Sequence, residues 1–348
     1  MRYTLGHNQN RIQKICAHYF RESPSEIKEI STGLFNDSYI IEFEDPIQNI
    51  SNFDIHNSPS KREEDETRQK KKLVVRIAPP DDAGFIFYEK RMMRQEPRIH
   101  KLIRARTSIP VPQILVANFQ RNLVSRDFLI MEYLKGTPLS SAQRAYSHFS
   151  NTQLQKAYYQ TGQYVREAHA IHSDLYGYIG VHSPSPPNKS WWDAFRVMWR
   201  FLEDGLVDCG AYSPKEAEKF LNALDRHKDS FTVRENVPSS LLHMDVWAQN
   251  ILVDEKGNVT GIVDWDRSLS GDPEIEYAVL DYCGFNNDAF WEGYGEQPEE
   301  DKDSRIRMKF YLLYEHQKYI IIRTYRRPDR SAVRRYKSDS LRILSSLI

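Results

Sequence analysis

The sequence has few cysteines, no long apolar run and no net charge, and each shortage excludes a class of protein. Its three cysteines, Cys16, Cys209 and Cys283, are too few and too far apart for a disulfide framework or a paired metal-ligand spacing. No apolar segment approaches the roughly 18 residues of a membrane-spanning helix, and the polar N-terminus lacks the apolar core of a secretory signal. The 48 basic and 48 acidic residues cancel, which argues against bulk attraction to nucleic acid or anionic membranes. We therefore expect a cytoplasmic protein that binds neither nucleic acid nor membranes.

Chain length and hydrophobic patterning predict two lobes. A chain of 348 residues exceeds what one hydrophobic core usually organises. After an amphipathic helix at 9–20, the first part is rich in β-forming segments, for which an antiparallel sheet is the natural arrangement. Helical periodicity dominates from residue 136 onward, so the predicted lobes are 1–135 and 136–348. The polar stretch 45–72 contains too few apolar residues to become ordered by burial and is predicted to be a mobile insertion in a hairpin.

The segment LLHMDVWAQNILVDEKGNVTGIVDWD, residues 241–266, carries the chemistry. Asp245 and Asn250 lie five positions apart on one loop, and Asp264 ends the apolar hairpin that follows, so all three side chains are able to meet at one point. Phosphoryl transfer needs such a set: one carboxylate accepts the proton of the attacking hydroxyl, while an amide oxygen and a second carboxylate hold Mg²⁺. An isolated carboxylate is as often a solvated or capping group. Two aspartates and an asparagine flanked by apolar strands are much more specific for this chemistry than an isolated carboxylate.

This segment resembles the aminoglycoside phosphotransferase family of the protein-kinase-like superfamily, whose catalytic loop reads His, any residue, Asp, four residues, Asn, then a strand ending in Asp. His243, Asp245, Asn250 and Asp264 match that pattern, and the resemblance extends over about 26–300. It implies an α+β, two-lobed kinase-like fold with a small N-terminal antiparallel sheet lobe and a mostly helical C-terminal lobe. It also implies that Asp245 is the catalytic base and that Asn250 and Asp264 are the magnesium ligands. His243 would organise the loop, and Met244 departs from the small residue often found there.

The N-terminal lobe offers nucleotide-binding residues by the same resemblance. Gly33, Asn36 and Ser38 lie in the segment that looks like the phosphate-covering loop, although an ordinary hairpin turn would give the same pattern. Arg76 stands where related folds place the phosphate-contacting lysine, and its alternative is a strand residue facing solvent. Strand alternation places Arg76 on the opposite face from its two neighbours.

Two further parts complete the nucleotide site that the resemblance implies. Glu96 aligns with the helix glutamate that pairs with this cation; Pro97 places it at a helix start or kink, and Glu89 is a weaker substitute. Residues 131–136 form the predicted hinge, where backbone groups from Glu132 to Leu134 would meet the nucleobase.

Several downstream residues have two interpretations. Asp266 either assists at the metal or orients the loop, while Asp272, Glu276 and His169 are expected to be structural. The acidic residues of 272–301 either bind a cationic acceptor or form a solvated surface. The basic segment 304–348 lacks a nucleic-acid-binding motif and is expected to be surface.

The function expected is transfer of the γ-phosphoryl group of ATP or GTP to a hydroxyl of a small molecule. The family's namesake acceptor is a cationic aminoglycoside, which would make the enzyme an antibiotic-resistance factor. The alternative acceptor is a metabolic sugar, amino alcohol or amino acid, since related kinases share this catalytic loop. A nucleotide-binding pseudokinase is the less favoured alternative, suggested by arginine in place of lysine at position 76. The sequence leaves the nucleobase and the oligomeric state open.

Overall fold

The computed structural model describes residues 5–30, 35–47, 71–81, 84–180, 188–298 and 300–348. Its first part is built on a five-stranded antiparallel sheet with the strand order β1-β2-β3-β5-β4. A helix precedes this sheet, and a second helix follows β3 after a short 3₁₀ turn, Met92–Gln95. In chain order these elements are α1 (Leu5–Tyr19), β1 (Glu26–Ile30), β2 (Asp37–Glu42), β3 (Lys72–Ile77), α2 (Glu96–Arg106), β4 (Ile114–Asn118) and β5 (Phe128–Glu132).

The second part is mostly helical and carries two small sheets, ordered β11-β10-β6 and β7-β9-β12-β8. A 3₁₀ turn, Trp265–Arg267, separates β11 from β12. The elements are, in chain order, β6 (Thr137–Pro138), α3 (Leu139–Ala145), α4 (Asn151–His169), β7 (His172–Ser173), β8 (Gly177–Tyr178), α5 (Trp191–Asp208), α6 (Pro214–Arg226), α7 (Lys228–Thr232), β9 (Ser239–Leu242), β10 (Ile251–Val253), β11 (Val259–Ile262), β12 (Leu269–Gly271), α8 (Pro273–Tyr282), α9 (Asp288–Tyr294), α10 (Lys302–Tyr325) and α11 (Arg330–Ser345).

The two faces of β3 serve different purposes, as strand alternation predicts. Val75 and Ile77 are fully buried in an apolar cluster that includes Ile12 and Ile15 of α1. Arg76 lies between them in sequence and points to the other face of the sheet, where it reaches α2. Burial of the apolar face therefore fixes the strand register, and the register aims the arginine at α2.

Local sequence signals explain where the elements that carry the site begin and turn. Helix α2 begins at Glu96, as Pro97 predicts, because proline is tolerated in a helix's first turn. The turn between β10 and β11 contains Gly257 with φ +74°, in the left-handed region that glycine adopts without strain. Strands β1, β2 and β3 lie within β-forming segments of the sequence, EIKEIS, DSYIIEF and KLVVRIA, as the composition of the first part predicts.

Two predictions fall wholly or largely outside the described residues. Gly33 lies outside them, and so does most of the 45–72 insertion; of that insertion, Ile47 is buried and Lys72 already belongs to β3. The division into lobes at 135 and 136 stays a prediction. None of the described helices combines the length and the apolar character needed to cross a lipid bilayer.

Candidate active site

The loop between β9 and β10 presents Asp245 beside Asn250. The amide nitrogen of Asn250 donates to the Asp245 carbonyl at 2.9 Å and to its carboxylate at 3.2 Å. The Asp245 backbone N–H donates to Nδ1 of His243 at 3.2 Å. Because the amide nitrogen of Asn250 faces Asp245, its amide oxygen is turned away and remains an acceptor.

Asp264 is brought to this loop by the β10–β11 hairpin. The backbone N–H of Val263 donates to the Asn250 carbonyl at 3.0 Å, and Nε2 of His243 lies 3.0 Å from the Val263 carbonyl. The His243 ring also packs against Trp265, with 4.4 Å between ring centroids. These contacts join the loop and the hairpin end, so the structure brings together Asp245, Asn250 and Asp264.

Two residues of this site have left-handed backbone conformations. Asp264 has φ +72° and Met244 has φ +64°, which non-glycine residues rarely adopt. Position 244 is where the sequence departs from a small residue, and the Met244 side chain is nevertheless buried, 2% exposed. The Met244 N–H donates to the carboxylate of Glu276, which secures the loop in this conformation.

Arg76 connects the N-terminal sheet, α2 and the segment that begins at Asp264. Its Nη1 donates to Glu96, and its Nη2 donates to Asp264 and, at 3.2 Å, to Asp266. The Arg76 and Glu96 side chains are 8% and 0% exposed, whereas the Asp264 side chain keeps 32% exposure. The predicted pairing of Arg76 with Glu96 is therefore present, and Arg76 is not a solvent-facing strand residue.

Glu89, the weaker alternative to Glu96, does not contact Arg76. It lies in the segment before the 3₁₀ turn, and its Oε2 accepts the Ile86 N–H at 2.8 Å. Its partners among charged groups are Arg267 and Arg326.

Burial and neighbouring charges push the two aspartates of this segment apart in pKa. Burial alone would raise the pKa of Asp264, but the positive charges of Arg76 and Arg267 outweigh it and hold that pKa below its usual value. Burial and the adjacent Asp264 carboxylate raise the pKa of Asp266 well above its usual value. Asp264 is therefore the carboxylate that stays charged, as a cation ligand must.

The phosphate-loop residues have different surroundings. The amide nitrogen of Asn36 donates to Asp266 at 2.9 Å, so this side chain braces the aspartate. Ser38 lies within β2, paired with Ile30 on one side and Arg76 on the other. Because the strand ladder uses the Ser38 backbone, its hydroxyl rather than its amide is left for a phosphate contact.

The hinge residues follow directly on β5. Glu132 ends that strand, and its N–H donates to the Gln113 carbonyl at 2.9 Å. Gly136 packs against the β10–β11 hairpin so closely that a Cβ there would lie 2.3 Å from Oγ1 of Thr260. Leu134 fills the space above Gly261, where a Cβ would lie 2.9 Å from its Cδ1. The predicted hinge and the β10–β11 hairpin are thus in direct contact.

The downstream residues expected to be structural do have buried partners. Glu276 accepts from Met244, and its Oε2 lies 2.8 Å from Nε2 of His169, whose Nδ1 lies 2.9 Å from the Tyr294 hydroxyl. Asp272 caps α8 by accepting from the Glu274 N–H at 3.2 Å. No zinc-type neighbour of His169 is present among the described residues, and it serves as a support beneath the loop.

Three residues at the site were missed by the sequence analysis. Gln95 donates its amide to the Asp266 carbonyl and accepts the Gly180 N–H at 3.0 Å, which ties α2 to the hairpin exit. Arg267 and Arg326 meet at Glu89. Arg267 had a signal, since it directly follows Asp266, whereas nothing in a basic C-terminal run distinguishes Arg326 from its neighbours.

The donor set fits a magnesium ion. Asp264 supplies a charged, partly exposed carboxylate, and Asn250 supplies an amide oxygen that no described residue engages. Mg²⁺ commonly takes only one or two protein oxygens and completes its shell with water and phosphate oxygens. No cluster of three or more His, Cys, Asp or Glu suited to a metal ion occurs in the described part of the chain.

The chain matches a known family and known folds. The profile of the phosphotransferase enzyme family matches residues 54–307. No curated protein matches the chain in sequence. Among solved structures, a candidate fructosamine-3-kinase from Haemophilus somnus 129PT is 16% identical, with 97% of this chain and 96% of that chain covered and a TM-score of 0.62.

Two aminoglycoside phosphotransferases share the fold as well. The ternary complex of a thermostable mutant of APH(4)-Ia with AMP-PNP and hygromycin B is 15% identical, covers 96% of this chain and 98% of that chain, and has a TM-score of 0.60. The gentamicin complex of APH(2")-IIa is 16% identical, covers 98% and 97%, and has a TM-score of 0.59. The expected two-lobed kinase-like α+β fold is confirmed.

Proposed function

Because the chain belongs to the phosphotransferase enzyme family, we propose that it transfers the γ-phosphoryl group of a nucleoside triphosphate to a hydroxyl of a small molecule. The observation that carries this proposal is the meeting of Asp245, Asn250 and Asp264 across from an Arg76–Glu96 ion pair. The nucleotide would lie between the predicted lobes 1–135 and 136–348. The AMP-PNP bound by the APH(4)-Ia structure supports ATP as the donor.

The chain's own residues divide the chemistry between them. Asp245 accepts the proton of the acceptor hydroxyl, and the Asn250 amide holds its carboxylate in position at 3.2 Å. Asn250 and Asp264 would hold Mg²⁺, which neutralises charge on the phosphate oxygens. Arg76 orients Asp264 while its charge faces the cleft. The loop containing Gly33, Asn36 and Ser38 would cover the phosphates, and Glu132 to Leu134 would meet the nucleobase.

The charge distribution bears on the acceptor. Three acidic residues of 272–301 are used internally: Asp272 caps a helix, Glu274 pairs with Arg307 at 2.7 Å, and Glu276 accepts from Met244. Of the other described acidic residues, Asp281 is exposed near the end of α8, and the rest lie on and after α9, which packs on α4. Since Asp272, Glu274 and Glu276 are engaged in internal contacts, they are not free to bind amines, which favours a metabolic acceptor over a polycationic aminoglycoside.

The test is a comparison of Asp245→Asn with the wild type. Nucleotide binding should survive in this variant, because the magnesium ligands remain, while turnover should fall by about 10²–10⁴-fold with loss of the proton acceptor. Mass spectrometry of a hydroxyl-compound library would detect the phosphorylated product, and growth protection against aminoglycosides would test the resistance alternative. Wild-type-like turnover in Asp245→Asn would refute the assignment of the base.

A further inference from the structure

Two arginines from distant parts of the chain meet at one buried carboxylate. Arg267 ends the 3₁₀ turn after β11, and Arg326 follows the last residue of α10. Their Nη2 atoms lie 3.7 Å and 2.9 Å, respectively, from Oε1 of Glu89, which is 0% exposed. The arginine side chains are 14% and 11% exposed, so both guanidinium groups lie largely out of solvent.

The N–H donors of these guanidinium groups outnumber the acceptors that neighbouring residues offer them. Nε, Nη1 and Nη2 of Arg326 are buried without a hydrogen-bond partner in the described structure, and Oε1 of Glu89 is likewise without a hydrogen bond. The 2.9 Å approach is therefore an ion pair in which the N–H does not point at the oxygen. The buried hydroxyl of Tyr88, a residue 1% exposed, also lacks a partner. Buried donors nearly always find acceptors, so this group requires one that the described residues do not supply.

The net charge of the group is positive. Among the described residues, Glu89 is the one carboxylate within ion-pair distance of either arginine, and Asp245 and Asp266 act on Arg267 only from farther away. Nearby Lys318 does not change the sum, because its Nζ pairs with Glu315 at 2.6 Å. The missing acceptor is therefore expected to be an anion.

Arg267 lies three positions after Asp264, in the turn at the end of the hairpin that the Val263–Asn250 hydrogen bond joins to the loop of Asp245. Burial lowers the pKa of Arg267, but the charge of Asp245 is the largest of the effects that raise it, and the net shift is upward. Burial is the largest cause of the raised pKa of Tyr319 and of Cys283, and the charge of Asp245 is the next largest. The hairpin therefore places Arg267 near the Asp245 carboxylate.

An aromatic side chain fixes the second arginine in place. The guanidinium carbon of Arg326 lies 5.2 Å from the centre of the Phe35 ring, and Phe35 in turn lies 5.9 Å from Phe85. A cation over an aromatic face is held without using its hydrogen-bond donors. The arginine is therefore positioned while its N–H groups stay available.

We propose that Arg267 and Arg326, assisted by the Tyr88 hydroxyl, form an oxyanion site that binds a carboxylate or phosphate group of the acceptor next to Asp245. Guanidinium forks match both oxyanions in bidentate geometry. An acceptor anchored there by its anionic group presents a neighbouring hydroxyl to the base. This inference rests on the proposed function, and it narrows the acceptor to hydroxyl compounds that carry a negative charge, such as sugar acids, hydroxy acids or sugar phosphates.

Calorimetric titration with inorganic phosphate at constant ionic strength tests the site itself. Wild-type protein should bind phosphate saturably, with and without Mg²⁺ and AMP-PNP, and Arg267→Met and Arg326→Met should each weaken it by about tenfold or more. Arg335→Met, which removes an exposed arginine of α11, is the matched control and should bind as wild type. Equal binding by all four proteins, or no saturable binding by wild type, would overturn the site. Loss of phosphate binding on addition of AMP-PNP would assign it to the donor and also overturn the proposal.

A second experiment asks whether the site binds an anionic group of the acceptor or only free phosphate. It uses a library of hydroxyl compounds, half of which carry a carboxylate or a phosphate. Screened by mass shift with ATP, the products should come from the anionic half, and inorganic phosphate should compete with the acceptor. Arg326→Met should raise KM for the acceptor far more than KM for ATP. Turnover confined to neutral compounds, or phosphate that binds without competing, would overturn the acceptor assignment. Nucleotide binding, measured in parallel, reports separately on the proposed function.

Discussion

Replacing Arg76 by methionine should destabilise the protein strongly, because Arg76 donates to three buried or half-buried carboxyl groups at once. Its two terminal nitrogens donate to Glu96, Asp264 and Asp266. Methionine keeps much of the volume but removes the charge. The carboxylates then lie close together in a site that excludes most of the solvent.

The expected size follows from the burial of the site. Breaking a buried ion pair by removing one partner costs about 3–5 kcal/mol, because the remaining charge is left uncompensated. With an unfolding entropy of about 2.1 cal/mol/K per residue, a chain of 348 residues loses about 1.4 °C of Tm per kcal/mol. Arg76→Met should therefore lower Tm by about 4–7 °C at neutral pH. Arg76→Lys should recover part of this, since one ammonium group lacks the two-pronged reach of the guanidinium.

The pH dependence of Tm is a second test of charge compensation by Arg76. In the wild type, Arg76 helps to hold the pKa of Asp264 below its usual value, so that this stabilisation is present at neutral pH and is lost as the pH falls through the folded-state pKa. Without the arginine, burial and like charges raise the carboxylate pKa values, and protonation at low pH relieves the repulsion. The Tm difference between Arg76→Met and wild type should thus shrink as the pH falls toward 4.

Differential scanning calorimetry across pH would measure both effects. Arg196→Met is the matched control, because Arg196 and Asp225 form an exposed pair with side chains 47% and 42% exposed. Exposed pairs contribute about 0–1 kcal/mol, so the control should shift Tm by about 1 °C or less. A similarly small shift for Arg76→Met would refute the compensation argument.

Three other outcomes are expected. Asn250→Ala and Asp264→Ala should each weaken magnesium-dependent nucleotide binding, measured by titration with and without the metal, because each removes an oxygen ligand. Unchanged affinity in both variants would place the metal site elsewhere. Glu203→Gln should raise Tm at neutral pH, because burial raises the pKa of Glu203 well above its usual value despite the hydrogen bond from Gln317. The wild type therefore loses stability as the pH rises above the unfolded-state pKa of about 4.3, and a Tm gain that fails to grow with pH would contradict this. Met244→Gly should destabilise by about 2 kcal/mol in denaturant titrations, because losing a buried side chain costs about 2–5 kcal/mol and relief of φ +64° returns about 1–2 kcal/mol, a difference of about 0–4 kcal/mol. A stabilised variant would show that strain dominates.

The hairpin and the strand face were predictable because they follow from local chemistry. Apolar runs on both sides of a Lys-Gly-Asn turn specify the β10–β11 hairpin that carries Asp264. Alternation in LVVRIA specifies the face of Arg76, since a one-residue slip would expose Val75 and Ile77. The start of α2 at Glu96 follows from Pro97.

Contacts that join distant segments were not predictable in the same way. Nothing in the sequence near Asn36 indicates that its amide meets Asp266, 230 positions away, instead of a phosphate. The meeting of Arg267, Arg326 and Glu89 depends on the packing of α10 against the segment before α2. Periodicity predicts such a helix, but it does not say which of several arginines at its C-terminal end reaches a buried carboxylate.

Arginine at position 76 follows from this geometry and does not indicate a lost activity. Glu96 approaches from the N-terminus of α2, where the helix dipole favours a carboxylate, while Asp264 and Asp266 approach from the hairpin exit. The two terminal nitrogens of the planar guanidinium group reach Glu96 and the aspartates separately, and the single ammonium group of a lysine cannot do this. Glu96 pairs with Nη1 and both aspartates pair with Nη2, so the cation of the proposed nucleotide site also positions the proposed metal ligand. An arginine here therefore supports an active phosphotransferase rather than a pseudokinase.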